Sequence, residues 1–413
     1  MPWTLVGSHI DGGTSGMESG SGVAINGDGT IIASVATAND TIQVYEYSGG
    51  SWSTKGANIN VGTDTGGAAG EAPFAISMSS DGLRFVVGSR LHDSGGLTNR
   101  GKVTMYAFNG TNYAQLGTNG YILGTGNAYT MGRSVAMSGD GNYVIVGADQ
   151  HDDGLTDETG KVFIYNYDGT TWQLQGLFLG DSAGDNLGRS VAINNDGSVA
   201  CAGAHLDDSN GSSTGSVFRY ERSGSTWTKK SDVLVGGTAN DQLGGNLDIS
   251  ADGSILAVQT QGTRGSGGPY TKVYEWDNIG EEWDQIGSSI VSSENNGVAL
   301  NEAGNVLVVA DTNYNSNQGR VQIYKYVASP WTQKGSDITG TPATNFALSV
   351  ATSQYGDYVV IGAPLDDNGP GTNAGRTFVY YNSDLTPVSN AGSAVVSGSG
   401  RFVVISTGTL TVQ

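Results

Sequence analysis

A tight turn ending in glycine, set between two apolar strands, recurs eight times along the chain, at Gly29, Gly82, Gly141, Gly197, Gly253, Gly304, Gly356 and Gly400. Successive copies lie 53, 59, 56, 56, 51, 52 and 44 residues apart. A chain of 413 residues could hold two or three ordinary domains, but self-similarity at a near-constant period makes it one repeat array. The period is somewhat above that of four-stranded propeller blades and too long for leucine-rich or ankyrin repeats. Five turns carry Asp-Gly, with Asp28, Asp81, Asp140, Asp196 and Asp252 before the glycine, a pair suited to the positive φ of tight hairpins. The 66 glycines and only 14% charged residues fit many short strands better than solvated helices, and no amphipathic helix is evident.

A second landmark follows each turn by roughly 30 residues, an aromatic opening a strand of the form aromatic-x-x-x-Gly. It appears as Trp52 to Gly56, Trp172 to Gly176, Trp283 to Gly287 and Trp331 to Gly335, shortened at Tyr113 and without the glycine at Trp227. The first copy, Trp3 to Gly7, has no turn before it, and the turn at Gly400 has no aromatic strand after it. The two deficits cancel if Trp3–Val6 pairs beside Gly408–Val412. The expectation is therefore an all-β, single closed β-propeller over 1–413, of eight four-stranded blades whose last is completed by the N-terminal strand. The blades fall near 20–60, 71–120, 131–180, 186–235, 242–290, 294–340, 345–388, and 391–413 joined by 1–10. The seventh is the weak copy, because its fourth strand would be Leu385-Thr386-Pro387-Val388, which has no aromatic; seven blades is the fallback. Six residues before the turn glycines stand Val23, Ile76, Val135, Val191, Leu247, Val298 and Val350, and between these and the next apolar position lie small residues such as Ala24, Ala136 and Ala192. The strand after each turn, as in Tyr143–Ala148, is apolar on both faces and reads as buried on both sides. The tryptophans read as structural.

A formal net charge of -20 and a pI near 4.3 repel phosphate backbones and anionic bilayers, so neither nucleic acid nor direct membrane insertion is expected. Cations and neutral or basic partners remain. The single cysteine, Cys201, sits in an apolar run and reads as a small core residue. Met1–Gly7 has neither a basic nor an apolar leader region and is expected to be folded sequence.

The run Asp185-Asn186-Leu187-Gly188-Arg189-Ser190-Val191-Ala192-Ile193, then Ala202-Gly203-Ala204, Asp207-Asp208, Gly215-Ser216-Val217-Phe218-Arg219-Tyr220 and Trp227, resembles the FG-GAP repeat of integrin α-chain propellers and of many bacterial and viral surface proteins. The copies beginning at Met131 and Phe346 are similarly close, and the resemblance spans essentially the whole chain, with the first, fifth and sixth copies degraded. It implies extracellular recognition on a cell surface or virion, often with bound calcium. One departure bears on the metal: the Asp-x-Asp-x-Asp-Gly loop of integrin-type repeats has shrunk here to turns such as Ser138-Gly139-Asp140-Gly141.

In an antiparallel blade the first-second and third-fourth turns share one rim, and the second-third and fourth-first loops share the other. The long polar loops all fall on this second rim. They contain the carboxylate pairs Asp152 and Asp153, Asp207 and Asp208, and Asp366 and Asp367, which could hold calcium or cap their own loops. Candidate ligand-binding residues on or near it are Arg133 and Arg189, which open their first strands, with His151 and His205; Asp248 replaces the small residue usual in a first strand and could face the channel or accept a local hydrogen bond. Asp168-Gly169-Thr170-Thr171-Trp172 resembles the sialidase Asp-box, contracted by one residue. The expected function is a non-enzymatic binding or adhesion propeller recognising a glycan or protein through the long-loop rim, with self-assembly or virion partners as a variant. The alternatives are a glycan-active enzyme of sialidase or lyase type and an intracellular scaffold like the WD40 proteins.

Overall fold

A computed structural model of the chain describes residues 2–61, 75–152, 158–262, 269–292, 297–367 and 371–386. They form seven antiparallel sheets arranged as the blades of a propeller. The fourth blade shows the plan: Leu187–Ile193, Val199–Ala204, Ser216–Ser223 and Thr226–Val235 pair in chain order from the axis outward. Second strands carry β-branched and small residues on both faces because both faces are covered by neighbouring blades. Val144, Ile145 and Val146 of Tyr143–Ala148 are all fully buried, as are Ala200, Cys201 and Ala202. Cys201 is thus the core residue its surroundings suggested, and burial pushes its thiol up to about 12. The outer tryptophans Trp172, Trp227, Trp283 and Trp331 are buried between blades. Several donate to the outer strand of the preceding blade: Trp52 Nε1 to Val6 O (2.9 Å), Trp172 Nε1 to Leu116 O (3.1 Å) and Trp331 Nε1 to Ile286 O (3.1 Å).

The described residues form seven blades, the fallback count, and the first-second turns show why. Their backbones make a closed ring of hydrogen bonds. Gly27 N–H donates to Ser80 O, Ser80 to Gly139, Asp140 to Asn195, Asn195 to Ala251, Ala251 to Glu302, Glu302 to Gln354, and Gln354 back to Gly27, all between 2.8 and 3.1 Å. The turn glycines interlock the same way. A Cβ on Gly197 (φ +65°) would stand 2.3 Å from the Tyr143 ring of the third blade, and one on Gly29 (φ +79°) 2.4 Å from Tyr358 of the seventh. The first blade therefore packs directly on the seventh.

The N-terminal strand does complete the last blade, but that blade is the seventh. Thr4 and Leu5 pair with Tyr381 and Tyr380, and Ile10 and Asp11 with Thr377 and Arg376. Trp3 takes the place of the missing outer aromatic, its Nε1 donating to Lys334 O of the sixth blade at 2.8 Å. This corrects the eight-blade expectation: one spare outer strand can finish only one sheet, and the aromatic-poor seventh copy was the sheet that lacked it. Leu385 is not in a strand but lies buried in a turn, packed into the core between the sixth and seventh blades. The postulated partner Gly408–Val412 and the whole eighth blade, 391–413, lie outside the described residues.

Candidate functional site

Seven inner strands enclose an axial channel with two unlike halves. On the side of the short turns the lumen is a cavity of about 290 Å³ that includes Asn26, Ser80, Asp248, Glu302 and Gln354 in its wall. On the long-loop side it widens to about 480 Å³, and here the wall includes Arg90, Arg133, Arg189, Asn246, Gln261 and Ser349.

Two recurring positions place charge at this wider mouth. Arg133 and Arg189 each follow a glycine of positive φ, Gly132 (+88°) and Gly188 (+93°). A Cβ on Gly188 would come within 2.8 Å of Lys161 O and 2.9 Å of Gly147 Cα, so only glycine lets the chain bend there and turn the arginine inward. The second position is the residue just past each second strand: Arg90, Asp149, His205 and Gln261 in the second to fifth blades. Sequence reading missed Arg90; the signal that finds it is its alignment with Asp149 and His205 at the strand's end.

The arrangement is cationic. Asp149 Oδ2 lies 3.3 Å from Arg133 Nε and 3.7 Å from an Arg189 terminal nitrogen, and its Oδ1 accepts from Thr130 Oγ1 at 3.0 Å. Arg189 also donates from Nε and Nη2 to Gln261 Oε1, at 3.3 and 3.1 Å. Arg90 makes no hydrogen bond and no ion pair among the described residues, and its charge repels both Arg133 and Arg189. Burial, then the Arg189 guanidinium, hold Arg133 down to about 10, and burial lowers Arg189 as well. Burial and then these two arginines push His205 down to about 3, so its ring is neutral near pH 7; its buried Nδ1 finds no partner among the described residues.

The remaining candidates are dispersed. His151 lies against Tyr129, the ring centroids 4.0 Å apart and the planes tilted by 36°, and helps wall a small apolar cavity of about 70 Å³ with Met131, Phe163 and Tyr165, separate from the mouth. Asp248 lies deeper in the lumen, on the short-turn side, where Oδ1 accepts from Ile249 N–H (2.8 Å) and Oδ2 from Leu300 N–H of the sixth blade (2.7 Å). Protein surrounds its carboxyl, whose only open face is the narrow lumen, and this desolvation pushes it up to about 6 against the two N–H bonds. The carboxylate pairs sit in separate blades and are engaged by their own loops. Asp207 accepts from Ser209 N–H, Asp208 from Ser213 N–H and Asp367 from Asn373 N–H, at 2.7, 2.5 and 2.7 Å. Asp366 is buried 3.4 Å from Arg376, Asp152 borders an undescribed stretch, and Asp153 lies outside the described residues. Among the described residues no three His, Cys, Asp or Glu side chains converge to hold a metal ion. Asp168 of the Asp-box-like turn accepts from Thr170 and Thr171 N–H at 2.8 Å each, which holds its carboxyl down to about 2 and accounts for it as a turn cap.

No protein-family model matches the chain. Nor does any curated protein. Among solved structures, Kuenenia stuttgartiensis hydrazine synthase superposes with a TM-score of 0.58 at 13% identity, over 92% of this chain and 99% of that one. The Cps50 (Swd1) β-propeller domain of Myceliophteria thermophila gives 0.58 at 10% identity, over 92% and 100%. A putative 6-phosphogluconolactonase from Bacteroides fragilis gives 0.53 at 14% identity, over 78% and 85%. Likeness at this level of identity establishes the β-propeller fold and nothing finer.

Proposed function

We propose that the protein is a non-enzymatic binding propeller, displayed on a cell surface or virus particle, that recognises a glycan or protein through its long-loop rim. The observation that carries this is the contrast between the two rims. On the short-turn side the first-second turns tie one another into the closed seven-bond ring, and the lumen there narrows to about 290 Å³. The other rim opens into the roomier mouth and presents charged and amide side chains to it. The resemblance to FG-GAP repeats favours recognition outside the cell, and loops on a rigid scaffold are a usual place for binding residues. Purified protein passed over a panel of polysaccharides and surface glycoproteins, with calcium and with chelator, tests the reading. Retention without released products is the expected result, and substitutions at the mouth should abolish it. Product release, or retention untouched by any rim substitution, would overturn it.

A further inference from the structure

Resting on that reading, we infer that the wide mouth of the channel is an anion receptor whose ligand is a carboxylated sugar, as in a uronate-bearing glycan, held by Arg90, Arg133 and Arg189. Three guanidinium groups stand there beside one carboxylate, Asp149, which pairs with Arg133 and Arg189 but not with Arg90, and the neutral His205 adds no charge. Half-buried arginines in such excess repel one another, and two of the three are held below their ordinary range largely by burial and partly by that repulsion. The protein as a whole carries a formal charge of -20, so this cationic island is not part of a general surface bias. An arriving anion would relieve the repulsion and find, in Arg90, a fork of N–H donors with no acceptor among the described residues.

The chemistry of the ligand follows from what is already in the site and what walls it. Asp149 lies within ion-pair distance of two guanidiniums, so the spacing accommodates a planar carboxylate. Around the arginines the mouth is walled by the amides of Asn246 and Gln261 and by Ser134, Ser190 and Ser349, whose hydroxyls donate to Gly188, Gly244 and Gly20 carbonyls of the next blade and can still accept, with no aromatic side chain in the wall among the described residues. Amides and hydroxyls beside guanidiniums match a ring that carries several hydroxyls and one acid, and a cavity of about 480 Å³ has room for a sugar residue.

Titration with an oligogalacturonate, its methyl-esterified neutral counterpart, a sulfated glycan and sodium sulfate, on the intact chain and on Arg90→Gln, tests this. Arg90 holds no other described group in place, so the variant should melt with the native protein; Lys229→Gln, which removes an exposed charge paired with Asp181 on an outer strand, controls for overall charge. The galacturonate is expected to bind, the ester to bind much more weakly, and Arg90→Gln to weaken the acid by roughly tenfold or more while leaving the ester unchanged. Equal binding of acid and ester, or acid binding indifferent to Arg90, overturns the carboxylate receptor. If neutral glycans or glycoproteins are still retained and lost on other rim substitutions, the rim reading survives that failure; if nothing is retained, both fall. Preference for the sulfated glycan or for sulfate itself also overturns it, leaving a general oxyanion site.

Discussion

Asp248 stands where the other six blades carry Ala24, Ser77, Ala136, Ala192, Ala299 and Ala351. Its geometry has a precedent inside the molecule, since Ser77 Oγ accepts from Met137 N–H of the next blade at 3.0 Å, just as Asp248 accepts from Leu300. The side chain therefore reads as a tie between neighbouring inner strands rather than a ligand-binding group, and a serine should serve as well. The pH dependence separates the two residues. A carboxyl raised to about 6 in the fold favours the protonated form. Its contribution is fully present below the unfolded value near 4 and is lost as pH rises through about 6. Relative to Asp248→Ser, the native protein is expected to lose on the order of 1–3 kcal/mol between pH 4 and pH 7.5, read from urea midpoints across pH. A constant difference over that range would mean that the carboxyl titrates normally and is better hydrated than its surroundings indicate.

At the scale of the element, the hairpin between first and second strands was the most legible part of the chain, yet half its chemistry went unread. The glycines and the Asp-Gly pairs were visible in the sequence, and each aspartate accepts from the N–H two residues on, as Asp196 does from Ser198 at 2.9 Å. The Asn or Ser three positions before each glycine was not singled out, although it occurs in all seven turns. Asn26, Ser79, Ser138, Asn194, Ser250, Asn301 and Ser353 each accept, through the side chain, the N–H five residues ahead. This bond closes the turn end of the hairpin, beside the backbone bond from Asn26 N–H to Ile31 O in the first blade, and it stays hidden in sequence because two residue types share one task and neither is apolar or aromatic. The arginine mouth was half legible for a related reason: Arg133 and Arg189 announce themselves by following a strand-opening glycine, whereas Arg90 emerges only when the ends of the second strands are aligned with Asp149 and His205. Asn194→Ala is expected to cost about 1–2 kcal/mol by orphaning the buried Val199 N–H, and Asn194→Ser to recover most of it. Equal losses for the two variants in chemical denaturation would show that the amide acts through packing instead.

For the whole molecule the decisive quantity is how the ring closes, and the miscount of blades came from weighing turns above strands. Eight turn glycines suggested eight blades, but closure is decided by which sheet lacks an outer strand, and seven wedges already fill the circle. The seam joins the most distant parts of the chain. Ser34 Oγ and Thr377 Oγ1 meet at 2.8 Å, Ser349 Oγ donates to Gly20 O at 2.9 Å, and Arg376 Nε pairs with Asp11 at 2.5 Å. A strand borrowed from the opposite end of the chain imposes a late, long-range step on folding and holds the ring shut once formed. The seam is testable because eight-blade and seven-blade closures place Thr4 differently. In the seven-blade ring Thr4 is the direct partner of Tyr381. Cysteines at those two positions, in a protein whose single native Cys201 is buried, are expected to form a disulfide on mild oxidation and to raise the unfolding midpoint, since the bond would close nearly the whole chain into one loop. In an eight-blade ring a further sheet would separate them beyond the roughly 7 Å that a disulfide can span. Failure to crosslink in the folded protein would reopen the count, while a crosslink that leaves the midpoint unchanged would show that parting of the seam does not limit unfolding.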